Sequence, residues 1–431
     1  MSAENRTFLF LQGPHGPFFQ MLGRMLEQAG AQAWRVGFNA GDAAFWRKAE
    51  TYIPYTGAPA AWPETLGQIV TDKGVTDIVL YGDTRPIHAA AVALAKARGV
   101  TVHVFEEGYL RPYWISYERG GSNGHSRLMD MNVAEMQAAL TRADLDQPEA
   151  PSHWGDMRQH VFYGFLYHAY VMLANRSYPQ FRPHREIGVR REFLLHLKRL
   201  MALPYTALER RWRSRRLAWS GNPYHLVLLQ LAHDASFRDH GPFATKDEFL
   251  QEVIAGFAAG APRHHRLVFK AHPLEDGRTP LRATIRHIAA AHGVADRIDY
   301  LPGGKLAALL NEARSAVTVN STAAQQALWR GIPLKAYGKA VYSKPEFVSD
   351  LPTKEFFASA QRPDLAAYRD FRRYLLETSQ VPGGFYSARG RRAALRQVTD
   401  LLLSPEDPYE AFLSGKAAPR QQLRVVAGDR N

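Results

Sequence analysis

Two adjacent carboxylates, Glu106 and Glu107, follow an apolar run that is predicted to be a strand, Thr101–Phe105, and Gly108 comes next. Adjacent residues on an extended chain point to opposite sides, so we expect only one carboxylate to face a ligand. The other should meet a backbone N–H or a cation such as Arg111. A carboxylate beside a glycine, which allows close approach, suits a general base or a nucleophile. An acidic helix cap is the structural alternative.

A histidine follows a later apolar run, Arg266–Phe269, within Lys270-Ala271-His272-Pro273. Pro273 lacks an N–H and stiffens the turn, which fixes the direction of His272. This histidine could bind a phosphate or protonate a leaving group. His-Pro also occurs in ordinary turns, so the motif alone is weak evidence.

Hydroxyl groups follow a third apolar run, Ala316–Val319, in Asn320-Ser321-Thr322. The pattern predicts a helix from Thr322 to Arg330, and the free N–H groups and hydroxyls at a helix start can hold a phosphate. An ordinary helix cap is the alternative.

Glycines follow the first apolar run, Arg6–Gln12, in Gln12-Gly13-Pro14-His15-Gly16-Pro17. They let the backbone approach a ligand, and the start of the helix predicted over Phe18–Ala29 favours an anion or a polar sugar. The turn lacks the GxGxxG pattern, so it does not predict a dinucleotide site. A plain tight turn is the alternative.

These motifs stand at the ends of predicted strands in two similar halves of the chain. In each half, short apolar runs alternate with helical patterns, which is typical of a parallel, doubly wound α/β sheet. Ligands bind at the carboxyl ends of such strands, where the motifs lie. We therefore predict Rossmann-like domains over 1–150 and 220–350. A helical segment over 151–219 separates them, and helices and a polar tail over 351–431 follow.

Composition restricts the class of protein. The 431 residues include 54 basic and 41 acidic side chains, for a net charge of +13, and no cysteine. Disulfides, thiolate metal sites and cysteine nucleophiles are therefore excluded. No apolar run is long enough for a signal-peptide core or a membrane span, so we expect a soluble cytoplasmic protein. No HExxH or Walker A motif occurs, and Asp144-Leu145-Asp146 fits a solvated linker, so we predict no metal.

Positive charge is concentrated in one segment. Between Arg182 and Arg216 there are eleven Lys and Arg side chains and three Glu, and apolar residues alternate with them. An aromatic stretch, 162–170, lies just upstream. A basic amphipathic helix beside exposed aromatics is typical of a surface that binds anionic lipid. A solvated helical face is one alternative, and nucleic-acid binding is another that no nucleic-acid motif supports. The predicted membrane contacts are Arg211, Trp212, Arg213, Arg215 and Arg216.

The order of the motifs resembles that of CMP-sugar transferases of the GT-B type, in which an acidic-acidic-Gly motif, an HP motif and a serine motif line one cleft. Longer segments resemble the capsular polysaccharide biosynthesis and export family that includes the β-Kdo transferases. The segments that carry this resemblance are Phe10-Leu11-Gln12-Gly13-Pro14, Gly16-Pro17-Phe18-Phe19, Phe38-Asn39-Ala40-Gly41-Asp42, Phe105 to Pro112, Phe269 to Glu275 and Val319-Asn320-Ser321-Thr322.

This resemblance implies a GT-B-type α/β fold, with two Rossmann-like domains facing across a cleft and the basic helical segment between them. It implies a retaining β-Kdo transferase that uses CMP-Kdo to start or extend a Kdo linker on a lysophosphatidylglycerol-type lipid. The enzyme would be cytoplasmic and peripheral to the inner membrane, without a resident cofactor, and capsule-assembly proteins could be its partners. The alternatives are a sialyl-type CMP-sugar transferase and a non-catalytic capsule assembly or export partner.

The resemblance also implies roles for the motif residues. Glu106, Glu107 and His272 would be catalytic, and either glutamate could be the nucleophile. The donor and its phosphate would contact the second half, at Lys270, His272, Pro273, Asn320, Ser321 and Thr322. The acceptor or sugar would contact the first half, at Gln12, Gly13, His15, Gly16 and Arg111.

Overall fold

The strands of this chain assemble into two separate α/β sheets. The computed structural model describes residues 3–111, 113–141, 157–181, 189–231, 237, 240–272, 275 and 279–415. The first sheet contains β1 (Thr7–Phe10), β2 (Gln32–Gly37), β3 (Tyr52–Pro54), β4 (Asp77–Tyr81), β5 (Thr101–Glu107), β6 (Trp114–Arg119) and β12 (Gln380–Pro382). Their order across the sheet is β12-β6-β5-β4-β1-β2-β3.

Helices cover both faces of the first sheet because their apolar residues recur on one side. The helices in this part of the chain are α1 (Phe18–Gln28), α2 (Ala40–Ala44), α3 (Trp62–Asp72), α4 (Pro86–Arg98) and α5 (Val133–Leu140). Helix α1 packs on one face of the sheet, and α3 and α4 pack on the other. Helix α1 buries Phe18, Leu22 and Leu26, which are spaced by four residues and so share one helix face. Helix α4 ends at Gly99, whose φ of 69° lies in the left-handed region that glycine adopts without strain.

The prediction of a parallel first sheet is wrong at one edge. Strands β1 to β5 are parallel, but β6 pairs with β5 in the antiparallel direction. The connection between them, 108–113, is too short for the crossover that a parallel pair needs. Strand β5 also continues past its predicted end at Phe105, because Glu106 and Glu107 pair with Ser116 and Ile115 of β6.

The second sheet is parallel throughout. Its strands are β7 (Tyr224–Leu228), β8 (Arg266–Lys270), β9 (Ile298–Leu301), β10 (Ala313–Thr318) and β11 (Leu334–Ala336). They lie in the order β11-β10-β7-β8-β9. The helices between them are α8 (Lys246–Gly260), α9 (Leu281–Ala291), α10 (Leu306–Glu312) and α11 (Gln325–Leu328).

The helix predicted over Thr322–Arg330 is shorter than expected. A single 3₁₀ turn, Thr322–Ala324, precedes α11, which ends at Leu328. Gly331 then turns the chain with a φ of 68°, so that it can enter β11. This short segment therefore offers a phosphate less helix-dipole stabilisation than the predicted helix would.

Two helices connect the sheets, α6 (Met157–Ala174) and α7 (Val189–Ser220). Helix α6 packs on the first domain, where Tyr167 donates a hydrogen bond to Asp42 of α2 at 3.3 Å. Helix α7 contacts the second domain, where Arg282 of α9 donates to Glu209 at 2.9 Å. Within the described ranges, no helix is long and apolar enough to cross a membrane.

The end of the chain returns to the first domain. After α12 (Thr353–Ser359) and α13 (Leu365–Thr378), strand β12 pairs antiparallel with β6. The prediction of helices and a polar tail over 351–431 is therefore wrong at these three residues, which form a strand. Next come α14 (Ala388–Leu403) and α15 (Pro408–Leu413). Arg6 donates to the Leu402 carbonyl at 2.6 Å and Arg119 to the Ser404 carbonyl at 2.7 Å, which holds the end of α14 on the first sheet.

The two domains face each other and share a buried contact. Lys344 of the second domain donates its ammonium protons to the carbonyls of Leu128 and Met131 in the first, both at 2.6 Å. Gln325 donates to the Tyr109 carbonyl at 2.8 Å. Two Rossmann-like domains across a cleft, with helices between them, confirm the predicted GT-B-type fold class.

Candidate active site

Two glutamines occupy equivalent positions at the switch points of the two sheets. The switch points lie between β1 and β4 and between β7 and β10, where open α/β sheets bind ligands. Gln12, two residues after β1, accepts a hydrogen bond from Arg85 at 2.8 Å. Gln230, two residues after β7, exchanges hydrogen bonds of 2.8 and 3.0 Å with Asn320. The sequence analysis named Gln12 but missed Gln230, although each glutamine follows four apolar residues.

The glycine-rich turn lies beneath α6. A Cβ on Gly13 would come within 2.5 Å of the Phe19 ring, and one on Gly16 within 3.1 Å of Tyr163. Gly16 also has a φ of 114°. The His15 ring stacks on Tyr167 of α6, with ring centroids 4.3 Å apart. The space beside these glycines is therefore filled by Phe19 and Tyr163, where the sequence analysis expected a ligand.

The acidic pair at the end of β5 has two different environments. Glu107 accepts a hydrogen bond from the Tyr81 hydroxyl at 3.4 Å. Glu106 lies against Gly82, where a Cβ would sit 3.0 Å from its Oε2 atom. Burial raises the pKa of Glu106 to about 7 and the charge of Glu107 contributes, while Arg85 and Arg111 oppose the shift. A carboxyl that titrates near neutral pH can act as a nucleophile or exchange a proton.

Asp83 and His125 extend this site toward the second domain. Asp83 is 4% exposed, and its Oδ2 accepts hydrogen bonds from the Ser122 N–H at 2.9 Å and His125 Nδ1 at 3.1 Å. The His125 ring meets His240 of the second domain edge to face, with centroids 5.0 Å apart. Gly124 permits this approach, because a Cβ there would lie 2.4 Å from His240. The sequence analysis missed these residues because no local motif contains them.

Lys270 and His272 lie at the carboxyl edge of the second sheet. Lys270 is the last residue of β8 and is 7% exposed, and burial lowers its pKa. His272 follows two residues later and is half-buried. Pro273, which was predicted to aim this histidine, lies outside the described residues.

The three residues after β10 have separate surroundings. The Asn320 side chain is occupied by Gln230, as described above. The Ser321 hydroxyl accepts the Ala323 N–H at 3.3 Å, which is the helix-cap alternative considered from the sequence. Thr322 lines a cavity between the domains.

That cavity is small and draws its walls from both domains. Its first-domain residues belong to the turns after β5 and β6, and its second-domain residues to the segments after β10 and β11. Its lining residues are Tyr109, Asn123, Asn320, Thr322, Lys339, Ala340, Val341 and Tyr342. Its first-domain wall lies next to the Asp83 site in the chain, because Asn123 follows Ser122, whose N–H donates to Asp83.

A buried carboxyl supports the cavity wall. Glu118 is 1% exposed and accepts hydrogen bonds from Tyr109, Ser126 and Tyr409. Burial raises its pKa to about 7, against the effect of these donors. The Tyr109 hydroxyl also accepts the Asn123 N–H at 2.7 Å, so the network fixes two residues of the cavity.

The basic part of α7 presents arginine and tryptophan to solvent. Trp212 is 56% exposed and has the Arg216 guanidinium 5.6 Å from its ring centroid. Arg211 and Arg215 are exposed as well. Arg213 differs, because it donates to Glu209 within the same helix at 2.8 Å. Among the residues that the structure describes, no cluster of three or more His, Asp or Glu side chains could hold a metal ion.

Comparison with known proteins identifies related sequences along most of the chain. The family model described as "Capsule polysaccharide biosynthesis protein" matches residues 76–386. The capsule polysaccharide export protein KpsS of Escherichia coli is 29% identical over 384 residues, which are 89% of this chain and 97% of that protein. The capsule polysaccharide modification protein LipB of Neisseria meningitidis serogroup B is 30% identical over 392 residues, 90% of this chain and 92% of that one.

Among solved structures, the chain is similar to the β-Kdo 2,7-transferase of Thermosulfurimonas dismutans KpsC. The sequence identity is 12%, the TM-score is 0.42, and the alignment covers 92% of this chain and 100% of that one. A second similar structure is the calicheamicin glycosyltransferase CalG4, with 14% identity and a TM-score of 0.32. The alignment covers 96% of this chain and 99% of CalG4.

Proposed function

The chain belongs to the family of capsule polysaccharide biosynthesis proteins, and from this we propose that it is a retaining β-Kdo transferase. It would move Kdo from CMP-Kdo to a lysophosphatidylglycerol-type lipid, to start or extend the linker of a capsular polysaccharide. The observation that carries this proposal is the position of Glu106. Its carboxyl, with a pKa of about 7, lies at the end of β5 that leads to the cavity between the domains.

The second domain offers groups for the donor nucleotide. Thr322 and the Asn320 segment line the cavity together with Lys339, so a hydroxyl and an ammonium can reach a phosphate there. Lys270 and His272 lie at the same edge of the sheet, and we assign them to the charge that develops on CMP as it leaves. Ser321 then acts mainly through the turn that it caps.

The first domain supplies the carboxylate. Retention of configuration is usually reached by two displacements at the anomeric carbon, each of which inverts it. We assign the first to Glu106, which attacks as CMP leaves. In the second, the acceptor hydroxyl attacks the same carbon, its proton passes to water, and the bond to Glu106 breaks. Arg85 and Arg111, which act on Glu106 electrostatically, could also pair with the carboxylate of Kdo. The chemistry needs no resident cofactor and no metal ion.

The protein would work at the inner membrane as a cytoplasmic, peripheral enzyme. The exposed arginines of α7 suit an anionic lipid surface, where the acceptor lies. Capsule-assembly proteins would be its partners in the cell. Gln12, Gly13, His15 and Gly16 would affect the acceptor indirectly, because they support α6.

The experiment that tests the proposal measures CMP release from CMP-Kdo in the presence of a short, water-soluble acceptor glycolipid. Glu106→Gln should lower turnover by several orders of magnitude and leave CMP binding by calorimetry unchanged, because the nucleophile acts only in the reaction. Glu107→Gln is the matched control and should lose less activity. Release of CMP from CMP-sialic acid alone, or from neither donor, would contradict the Kdo assignment, and equal rates in both variants would contradict the role of Glu106.

A further inference from the structure

Helix α6 has an exposed apolar face. The exposed fractions are 63% for Val161, 57% for Phe162, 69% for Phe165, 56% for Met172 and 74% for Leu173. Residues 161, 165 and 172 are spaced by four and seven positions, and 162 and 173 flank them, so they form one stripe along the helix. Large side chains that are exposed together on one face mark an interaction surface.

The opposite face of α6 is fixed to the first domain, so the stripe cannot turn inward. The Tyr167 hydroxyl accepts a hydrogen bond from Asn39 at 2.8 Å. Gln159 accepts the N–H of Ala388, at the start of α14, at 2.8 Å. The His160 ring packs on Tyr386 with centroids 3.8 Å apart.

The charge around the stripe favours an anionic partner. Residues 157–181 contain no Asp or Glu, and they include Arg158 and Arg176. An apolar stripe without acidic residues suits a bilayer with anionic headgroups, since such a surface attracts cations and accepts apolar side chains. Among the described helices, α6 included, none is both long and apolar enough to cross a bilayer, but α6 can lie within the interface.

We propose that α6 is an interfacial helix whose outer face inserts into an anionic lipid bilayer while its inner face holds the glycine-rich turn of the first domain. This deepens the proposed function and rests on it for the lipid acceptor. The first turn of α6 is linked to the acidic pair by packing. His160 contacts Tyr386, the neighbouring Phe385 contacts Tyr81, and the Tyr81 hydroxyl donates to Glu107. The inserted helix therefore brings the membrane surface to the edge of the site, and contributes a hydrophobic contact in addition to the charged one of α7.

The absence of cysteine allows a direct test. The Phe165→Cys variant is labelled at its single cysteine with an environment-sensitive fluorophore. The Trp329→Cys variant, labelled in the same way at an exposed apolar position of the second domain, is the matched control. With vesicles of phosphatidylglycerol and phosphatidylcholine, the label at 165 should shift to the blue and be quenched by lipids with brominated acyl chains. The label at 329 should do neither.

A second arm separates insertion from electrostatic adsorption. At about 1 M salt, where the Debye length is about 3 Å, the variant with Phe162→Ser, Phe165→Ser and Leu173→Ser should bind vesicles about tenfold more weakly or worse. Trp329→Ser should bind like the parent, and all variants should release CMP with the water-soluble acceptor at the parent rate.

A label at 165 that stays in water on vesicles would overturn the proposal. So would a label at 165 that is buried without lipid, in a dimer or a complex with another protein. Insertion without CMP release would refute the proposed function and leave the interfacial helix standing.

Discussion

Glu106 shows how one residue obtains its chemistry from its neighbours. Its carboxyl leaves water at the end of β5, next to a second carboxylate, and both effects favour its protonated form. Arg85 and Arg111 limit this shift, so the pKa stays near 7. The sequence analysis predicted that adjacent carboxylates would differ, but burial and nearby charge depend on residues far away in the chain.

The first prediction concerns the pH dependence of turnover. A protonated carboxyl cannot attack, so the rate of CMP release should fall as the pH decreases through about 7. Arg85→Met removes a cation that lowers the pKa, and should move this limb to higher pH. Glu107→Gln removes a charge that raises it, and should move the limb to lower pH. Stopped assays between pH 5 and pH 9 measure both shifts, and identical limbs in the three proteins would exclude Glu106 as the titrating group.

The second prediction concerns Glu118, which makes stability depend on pH. Its pKa is higher in the folded chain, so the folded state binds more protons between about 4.5 and about 7. The free energy of unfolding should therefore decrease as the pH rises through this interval. Glu118→Gln should flatten this decrease by on the order of 1–3 kcal/mol. Denaturant unfolding at pH 5 and pH 8 measures the slope, and Glu135→Gln, on the exposed side of α5, is the control. An unchanged slope would mean that Glu118 stays ionised.

At the scale of elements, local pattern predicted the strands that are buried and parallel. Apolar runs such as Phe8-Leu9-Phe10 are fully buried, so their composition alone indicates a central strand. Strand β12 could not be predicted, because its partner Ser116 is 264 residues away and its three residues carry no pattern. The antiparallel direction of β6 could have been predicted, since the connection after Gly108 is too short for the crossover that a parallel neighbour needs.

The candidate site was likewise predictable where its residues belong to local motifs, and not where distant residues come together. Motifs next to strands placed Glu106, Lys270 and Thr322 at the correct edges of the sheets. Asp83 and His125 are single residues outside any local motif. A contact across 42 positions joins them to each other, and the packing of the two domains brings His240 to His125. The short turn before α11 was also hidden, because a helical pattern does not reveal where the backbone tightens.

The third prediction separates two neighbouring hydroxyls. Ser321 caps the turn, so Ser321→Ala should lower the free energy of unfolding by about 1 kcal/mol and change CMP affinity little. Thr322 lines the cavity, so Thr322→Val should weaken CMP binding by about 1.5–3 kcal/mol, with stability retained. Calorimetric titration with CMP and thermal unfolding, run on both variants, distinguish the two roles. The reverse pattern would assign the phosphate to Ser321.

At the scale of the whole molecule, the helices that connect the domains carry its two outward surfaces. Helix α7 is attached to the second domain through Glu209, and α6 to the first through Tyr167. If both proposed membrane contacts hold, each domain would have its own contact to a membrane. The cleft with the candidate site would then lie between two bodies attached to the same surface.

The fourth prediction concerns the exposed arginines of α7. Arg211→Ser, Arg215→Ser and Arg216→Ser together should weaken binding to anionic vesicles by roughly 10–100-fold at low salt, because each charge contributes up to about 1 kcal/mol near the surface. Arg213 is left unchanged, since Glu209 engages it. The triple change of Arg362, Arg369 and Arg396 to Ser removes the same charge from other exposed positions and is the control. Equal losses in both would show a response to net charge alone.

The return of the chain to its first sheet determines the order in which the protein can be completed during synthesis. All strands of the second sheet lie between residues 224 and 336, so this domain can close while the ribosome is still extending the chain. The first domain waits for β12 and for the carbonyls near residue 402, which reach Arg6 across 396 positions. Its N-terminal strands emerge first but are completed last. Between those moments, the edge of β6 that β12 will occupy has no paired strand, and an unpaired edge favours association with other chains.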